Sequence, residues 1–185
     1  MNKKENPWKT LKKNTVYENP WIKVEHHEVL NPSGQPGVYG TVAFQNIAVG
    51  VIPIDTTNHT YLVGQFRFPL NAYSREIPEG GCQLNTDPLA TAKRELKEET
   101  GIIAQRWEKL QTIHTSNSVT DEFGIIYTAE DLEFFEANPD EDEDLEIQRI
   151  SLKEVLEMIK RGEITDSLSL AGILRLHVER PELFD

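Results

Sequence analysis

β-branched and aromatic residues are concentrated in short stretches along the first part of the chain, and polar turn-forming residues separate these stretches. Residues 22–30 and 38–44 flank the sequence Asn-Pro-Ser-Gly at positions 31–34, which predicts a β-hairpin. Residues 47–54 and 61–68 are predicted to form a second pair of strands. The first strand of that pair is almost continuously apolar, which indicates burial on both faces.

A helix is predicted over residues 88–100, with clear signals at both ends. Asp87 is a suitable N-cap, Pro88 fits the first helical position, and Gly101 follows the last turn. The later part of the chain contains further strands and then helices. The expected strands are residues 110–114, 123–129 and 145–150, and the expected helices begin at a capping box over residues 151–154 and at a cap over residues 165–166.

This order of elements, a mostly β body with one central helix and a helical pair at the end, predicts an α+β fold with a layered α/β/α arrangement around a mixed sheet. The chain has 185 residues, which fits one compact domain. We expect a strand and hairpin region over residues 1–45 and the main domain over residues 46–185. Residues 1–13 are polar and rich in lysine, so we expect them to be loosely held.

The composition restricts the partners and the compartment. Acidic residues outnumber basic ones by 31 to 19, and the net charge of -12 opposes binding to nucleic acid or to an anionic membrane. The lone Cys82 cannot form an intramolecular disulfide, and the first residues lack the apolar stretch of a signal peptide. We therefore expect a cytoplasmic protein with no membrane span.

The central helix concentrates three carboxylates. At 100° per residue, Glu95, Glu98 and Glu99 fall within an arc of about 100°, beside the apolar stripe of the same helix. Lys93, Arg94 and Lys97 are expected on the far side. Like charges at this spacing repel one another unless a cation compensates, and oxygen ligands suit Mg²⁺, Ca²⁺ or Mn²⁺. The alternative is a solvated acidic face.

These residues stand in a longer spaced pattern. The pattern consists of Gly80, Arg94, Glu95, Leu96, Glu98, Glu99, Gly101 and Ile102. It resembles the signature of the Nudix hydrolases. The departure is Thr86, which occupies the position of the first signature glutamate. The resemblance implies that Glu95 and Glu99 bind metal, that Glu98 assists, and that Arg94 orients a carboxylate.

Residues 65–69 and 75–81 resemble the ADP-ribose pyrophosphatase and nucleoside-diphosphate-sugar hydrolase branch of that family. In this branch the carbonyl matching Glu79 completes a metal site, and the arginine matching Arg67 contacts the substrate or a neighbouring acid. Glu76 is a further candidate for substrate binding. Residues 116–122 would be a loop over the substrate, although their composition alone indicates a hydrophilic turn. The candidate contacts in that loop are Ser116, Asn117, Asp121 and Glu122.

The branch also carries a glutamate in a mobile loop that acts as catalytic base or binds a further metal. Glu141 and Glu143 match it, within an acidic run that is otherwise typical of a solvated segment. Resembling enzymes are commonly homodimers that share their N-terminal strands, so Trp8 and Trp21 are expected to face a second subunit. The aromatic candidates for base or sugar recognition are Tyr17, Trp21 and Tyr39.

The resemblance implies an enzyme that uses Mg²⁺, or Mn²⁺, to cleave the pyrophosphate of a nucleoside diphosphate sugar into a nucleoside monophosphate and a sugar phosphate. Thr86 leaves a second hypothesis open, in which a catalytically weakened module binds nucleotide sugars as a sensor. A third hypothesis keeps the chemistry but changes the substrate to a dinucleoside polyphosphate or a damaged nucleoside triphosphate.

Overall fold

The computed structural model describes residues 5–138 and 145–185. Glu141 and Glu143 lie outside the described residues. The strands are β1 Lys9–Glu18, β2 Ile22–Leu30, β3 Pro36–Phe44, β4 Asn46–Pro53, β5 His59–Arg67, β6 Ala72–Glu76, β7 Glu79–Gln83, β8 Ile102–His114, β9 Phe123–Phe134 and β10 Glu146–Ser151. The helices are α1 Pro88–Thr100, α2 Leu152–Lys160 and α3 Ser167–Glu179.

The chain divides into two compact units. The first unit contains the described residues up to Asn46 together with residues 116–122. Its antiparallel sheet has the strand order β1-β2-β3, and the predicted hairpin is confirmed as β2 and β3. The expectation that residues 1–13 are loosely held is wrong from Lys9 onward, because β1 pairs with β2 along its length. The polar composition of β1 reflects its exposure to solvent rather than a lack of structure.

The second unit contains residues 47–115 and 123–185 and is built on two sheets. One has the order β7-β4-β9-β8, with β4 parallel to β9, and the other has the order β10-β5-β6. The predicted pairing of residues 47–54 with residues 61–68 is therefore wrong, although both strands exist. The apolar pattern reports burial but not the identity of the partner, and β4 pairs with β9 and β7 instead.

Helices cover both faces of the four-stranded sheet, as the side chains of β4 show. Val49 and Val51 belong to the core cluster that contains Ala92 and Leu96 of α1. Ile52 points to the opposite cluster, which contains residues of α2 and α3. The predicted α+β class with helical layers is confirmed. No helix among the described residues combines the length and the apolar character needed to cross a bilayer.

The predicted helix signals are confirmed. Helix α1 begins where Asp87 accepts a hydrogen bond from the N–H of Leu89 at 3.0 Å, and it ends at Gly101, whose φ is 70°. Ser151 caps α2, and Asp166 caps α3 by accepting from the N–H of Ser169 at 2.7 Å. Strands β6 and β7 were not predicted, because each has only five residues and β7 contains two glycines.

Candidate active site

The three carboxylates of helix α1 differ in how deeply they are buried. Leu96 is fully buried against the sheet, and the neighbouring Glu99 is only 1% exposed. The side chain of Glu95 is 13% exposed and that of Glu98 is 35% exposed. The apolar stripe of the helix thus carries Glu99 and Glu95 toward the protein interior, where a carboxylate requires hydrogen bonds or a cation.

The first two residues of β7 lie directly against these carboxylates. The main-chain N–H of Glu79 donates to Oε2 of Glu99 at 3.0 Å. A Cβ added at Gly80 would overlap the carboxylate of Glu95. The absence of a side chain at position 80 therefore lets α1 approach the backbone that carries the Glu79 carbonyl. Two carboxylates and a main-chain segment converge at one place.

Arg94 folds over the outer carboxylates of α1. Its guanidinium forms ion pairs with both Glu95 and Glu98. The expectation that Arg94 lies on the far side from the acids is wrong, because Glu98 lies four residues after Arg94 and so shares its face of the helix. The long side chain of Arg94 also reaches the adjacent Glu95. Burial lowers the pKa of Arg94, but Glu95 and Glu98 together raise it by more, so the net shift is upward. Arg94 is thus placed to orient both carboxylates.

A second charged group adjoins Glu79. Nε of Arg67 donates to both oxygens of Glu76 at 3.0 Å, and Nη2 donates to Glu76 and, at 2.9 Å, to Oε1 of Glu79. The side chain of Glu76 is only 4% exposed, whereas that of Arg67 is 34% exposed. Of the two contacts expected for Arg67, the structure shows the one to neighbouring acids. The hydrogen bonds of Nε and Nη2 fix the orientation of the Arg67 guanidinium.

The pKa values of the two acids move in opposite directions. Burial disfavours the charge of Glu76, but its hydrogen bonds from Arg67 lower its pKa overall. The pKa of Glu79 lies well above its ordinary value because of burial and because Asp166 and Glu76 lie nearby. Among the described residues, Oε2 of Glu79 has no hydrogen-bond partner. Arg67 therefore faces more acidic groups than one guanidinium can neutralise, and the raised pKa of Glu79 favours its neutral form.

The donor atoms fit a hard divalent cation. They are all oxygens, namely the carboxylates of Glu95, Glu98 and Glu99 and the carbonyl of Glu79, and oxygen is the donor that such a cation prefers. Within residues 5–138 and 145–185, no group of three His, Cys, Asp or Glu side chains is arranged to hold a metal. A cation at Glu95 would have to compete with Arg94 for that carboxylate, and the main-chain carbonyl would have to contribute.

Comparison with known proteins identifies this arrangement. Residues 45–169 match the family described as NUDIX domain. The chain belongs to the Nudix family. Residues 8–42 match the nucleoside diphosphate sugar hydrolase N-terminal domain. The family and branch predicted from the sequence are thereby confirmed.

Curated relatives cover almost the whole of this Nudix protein. A methanol dehydrogenase activator from Bacillus methanolicus is 34% identical, and the match covers 92% of this chain and 93% of the relative. An ADP-ribose pyrophosphatase from Bacillus subtilis (strain 168) is 30% identical over the same shares. A solved structure described as an ADP compounds hydrolase has a TM-score of 0.86 and 21% identity, and it covers 98% of each chain. This last likeness establishes the Nudix fold.

The departure from the Nudix signature at Thr86 has a local structural role. The Thr86 hydroxyl donates to the carbonyl of Gln83 at 2.7 Å and lies 3.1 Å from Sγ of the buried Cys82. The side chain therefore closes the turn between β7 and α1. It lacks the carboxylate that the signature would place at this position.

The predicted substrate loop, residues 116–122, belongs to the first unit. Oδ1 of Asp121 accepts from the N–H of Phe44 at 2.8 Å, and the carbonyl of Ser116 accepts from the N–H of Thr120 at 2.9 Å. Asn117 and Asp121 line a cavity of about 250 Å³ in this unit, together with Tyr39. Glu122 is half-buried, and Tyr17 and Trp21 are exposed. Substrate binding by the loop stays a prediction.

Shortly before Glu141 and Glu143 in the sequence, Asn138 is hydrogen-bonded to the Nudix helix. The N–H of Asn138 donates to the carbonyl of Glu98 at 2.9 Å. The chain therefore enters the acidic run from a residue attached to α1, and catalysis by these two glutamates stays a prediction. Asp166 was predicted only as part of the cap of α3 and Ser169 was not predicted at all, since their proximity to β6 and β7 arises only from packing.

Proposed function

We propose that this Nudix protein is a metal-dependent pyrophosphohydrolase that cleaves nucleoside diphosphate sugars. The observation that carries the proposal is the convergence of the Glu79 backbone with Glu95 and Glu99, beside the fixed guanidinium of Arg67. The relative named ADP-ribose pyrophosphatase, which the match covers over 93% of its length, supports a nucleotide sugar as substrate. A net charge of -12 repels a bare diphosphate, so a bridging cation is required as well.

The proposed reaction is hydrolysis of one phosphoanhydride bond. Water attacks one phosphorus, the bond from that phosphorus to the bridging oxygen breaks, and a nucleoside monophosphate and a sugar phosphate leave. Bound Mg²⁺, or Mn²⁺, would neutralise the diphosphate and lower the pKa of the attacking water. Glu95, Glu99 and the Glu79 carbonyl would hold it, and Glu98 would assist.

The remaining roles belong to positioning and proton transfer. Arg94 would keep Glu95 and Glu98 oriented through its two ion pairs. Arg67, which Glu76 and Glu79 fix through Nε and Nη2, would offer its Nη1 donors to the substrate. Glu141 or Glu143 would accept the proton of the attacking water. Replacing each with Gln, singly, tests which one acts.

The test of the proposed function is a phosphate-coupled assay with Mg²⁺ on ADP-ribose, ADP-glucose, GDP-mannose and UDP-glucose. The wild type should turn over at least one of them, and Glu99→Gln should be slower by ~100-fold or more. Tight binding of a nucleotide sugar without any metal-dependent turnover would contradict the enzyme proposal and support the sensor hypothesis, which Thr86 favours. Dinucleoside polyphosphates in the same assay test the third hypothesis.

A second candidate function comes from the relative named methanol dehydrogenase activator, which is 34% identical over nearly the whole chain. If this protein shares that role, adding it with Mg²⁺ to a methanol dehydrogenase should raise the dehydrogenase rate. Glu99→Gln shows whether hydrolysis is needed for the effect.

We propose further that residues 1–45 form a dimerisation region and residues 46–185 the catalytic domain. Strand β1 is exposed along its whole length, and Trp21 is 65% exposed. Large exposed aromatic residues are typical of an interface. Light scattering after gel filtration should give a homodimer for the wild type, and Trp21→Ala should weaken it. The lone buried thiol of Cys82 is consistent with a cytoplasmic location, and the acidic charge with the absence of a nucleic-acid partner.

A further inference from the structure

The short segment between β6 and β7 is attached to three different elements in succession. It comprises residues 77 and 78 together with Glu79, the first residue of β7, whose carbonyl the proposed function assigns to the metal. The three hydrogen bonds are from Ile77 N–H to Oγ of Ser169 at 2.9 Å, from Val51 N–H to the Pro78 carbonyl at 2.9 Å, and from Glu79 N–H to Oε2 of Glu99 at 3.0 Å. The segment is thus held from α3, β4 and α1.

The attachment to α3 is made by a side chain that no part of the Nudix signature includes. Ser169 and Ile77 are separated by 92 positions in sequence, and both are fully buried. Ser169 lies in the first turn of α3, where its own N–H donates to Oδ2 of Asp166. The backbone that carries the hydroxyl is therefore fixed by the helix cap. Because the contact is buried, solvent water cannot readily replace it if the hydroxyl is lost.

A main-chain ligand differs from a carboxylate ligand in how it can adjust. A carboxylate reaches a cation by rotating its side chain, whereas a carbonyl moves only with the backbone around it. The position of the Glu79 carbonyl is therefore set by the hydrogen bonds on residues 77–79. The Ser169 hydroxyl accepts the hydrogen bond from Ile77, which is the first residue of this segment.

We propose that Ser169 is a positioning residue for the metal site, which it serves by holding residues 77–79 so that the Glu79 carbonyl faces the carboxylates of α1. This inference rests on the proposed function, because it takes the Glu79 carbonyl as a metal ligand. Ser169 touches neither metal nor substrate. Its effect is transmitted through the backbone from Ile77 to Glu79.

The experiment compares Ser169→Ala with Ile173→Val in the 185-residue chain. Both residues lie in α3 and are fully buried, but Ile173 packs in the core cluster around Ile52 and Leu176. Three measurements are made on each variant: thermal unfolding, hydrogen exchange of a peptide covering residues 77–81, and Mn²⁺ binding by electron paramagnetic resonance. The Mg²⁺ concentration for half-maximal turnover is a fourth.

Ser169→Ala should speed exchange in residues 77–81 and weaken Mn²⁺ binding by ~10-fold, with a similar rise in the half-maximal Mg²⁺ concentration. Ile173→Val should lower the melting temperature without changing these three values. Equal exchange and equal Mn²⁺ affinity in the two variants would overturn the role of Ser169.

A failure of the proposed function gives a different result. In that case the wild type shows neither Mg²⁺-dependent turnover nor Mn²⁺ binding. The assignment of the Glu79 carbonyl as a metal ligand then fails together with the proposed function. Hydrogen exchange then still reports separately on the attachment of residues 77–79. Faster exchange in Ser169→Ala alone supports that attachment, and unchanged exchange refutes it.

Discussion

The main-chain N–H of Glu79 donates to a carboxylate oxygen of Glu99 at 3.0 Å, which joins the first residue of β7 to the last turn of α1. Glu99 is almost completely buried, where a carboxyl group requires hydrogen-bond partners, and this bond supplies one of them. The same bond brings the Glu79 carbonyl to the helix that carries Glu95. The geometry of the site therefore depends as much on the backbone before α1 as on the helix itself.

Gly80→Ala should damage the site more than the fold. The added Cβ would overlap the carboxylate of Glu95, so either the backbone or α1 must shift. We expect kcat/KM to fall by ~10-fold or more, since small misplacements of catalytic groups are costly. Gly40→Ala is the matched control, because no atom lies within 4 Å of a Cβ built there. Equal activity of the two variants in the coupled assay would refute the close approach of Glu95.

Arg67→Lys should raise KM for the nucleotide sugar by ~10-fold, because a lysine cannot reproduce the forked contacts with Glu76 and Glu79. Arg67→Ala should in addition lower the free energy of unfolding by ~3–5 kcal/mol, because it leaves the buried Glu76 without its partner. Urea denaturation and steady-state kinetics measure the two effects. Arg175→Lys, in an exposed pair with Glu179, should change neither value.

Thr86→Glu tests the departure from the Nudix signature. The added carboxylate should raise kcat at limiting Mg²⁺, and an unchanged kcat would show that the position is dispensable here. Thr86→Val separates the local role of the hydroxyl, which donates to the carbonyl of Gln83. We expect it to lower the free energy of unfolding by ~1 kcal/mol and to leave kcat unchanged.

Stability toward acid should depend on Asp55. Burial raises its pKa, but hydrogen bonds from the N–H groups of Thr57 and His59 and from Arg149 outweigh burial and lower the pKa from 3.8 to about 2. An acid with a lowered pKa stabilises the fold above its unfolded pKa, and this contribution is lost as the pH falls through the folded pKa. The contribution should therefore be complete above pH 3.8 and disappear near pH 2.

Asp55→Asn should accordingly reduce the free energy of unfolding by about 2 kcal/mol at neutral pH. The difference from the wild type should shrink as the pH falls through the same interval. Urea denaturation across the pH range measures both values, with the exposed Asp185→Asn as control. A difference that stays constant down to pH 2 would show that the lowered pKa of Asp55 is not its source.

The elements with local signals were predictable from the sequence. Helix α1 begins and ends at the predicted residues, because Asp87, Pro88 and Gly101 act on the helix termini through their own conformations. The hairpin of β2 and β3 was predictable for the same reason, since the turn residues lie between its strands. By contrast, the pairing of β4 with β9 joins residues far apart in the chain, and the apolar pattern of β4 contains no information about that partner.

The candidate site shows the same division. The spacing of Glu95, Glu98 and Glu99 indicated their shared helix face and the family. The ion pair of Arg94 with Glu98 was deducible from the i, i+4 spacing of the helix, whereas the pair with the adjacent Glu95 depends on how the long Arg94 side chain folds. Asp166 gave only the signal of a helix cap and Ser169 gave none, because the contact of Ser169 with Ile77 requires the packing of α3 against the sheet.

The sequence by itself determined which residues form α1, which acids share its face, and to which family the chain belongs, because these properties depend on fixed spacings along the chain. Only the tertiary structure decided that Gly80 admits the carboxylate of Glu95, that Glu79 joins Arg67 to Glu99, and that Ser169 holds the segment between β6 and β7. Each of these contacts joins elements through packing, and their distances are set by the core between the sheet and its helices rather than by any local pattern.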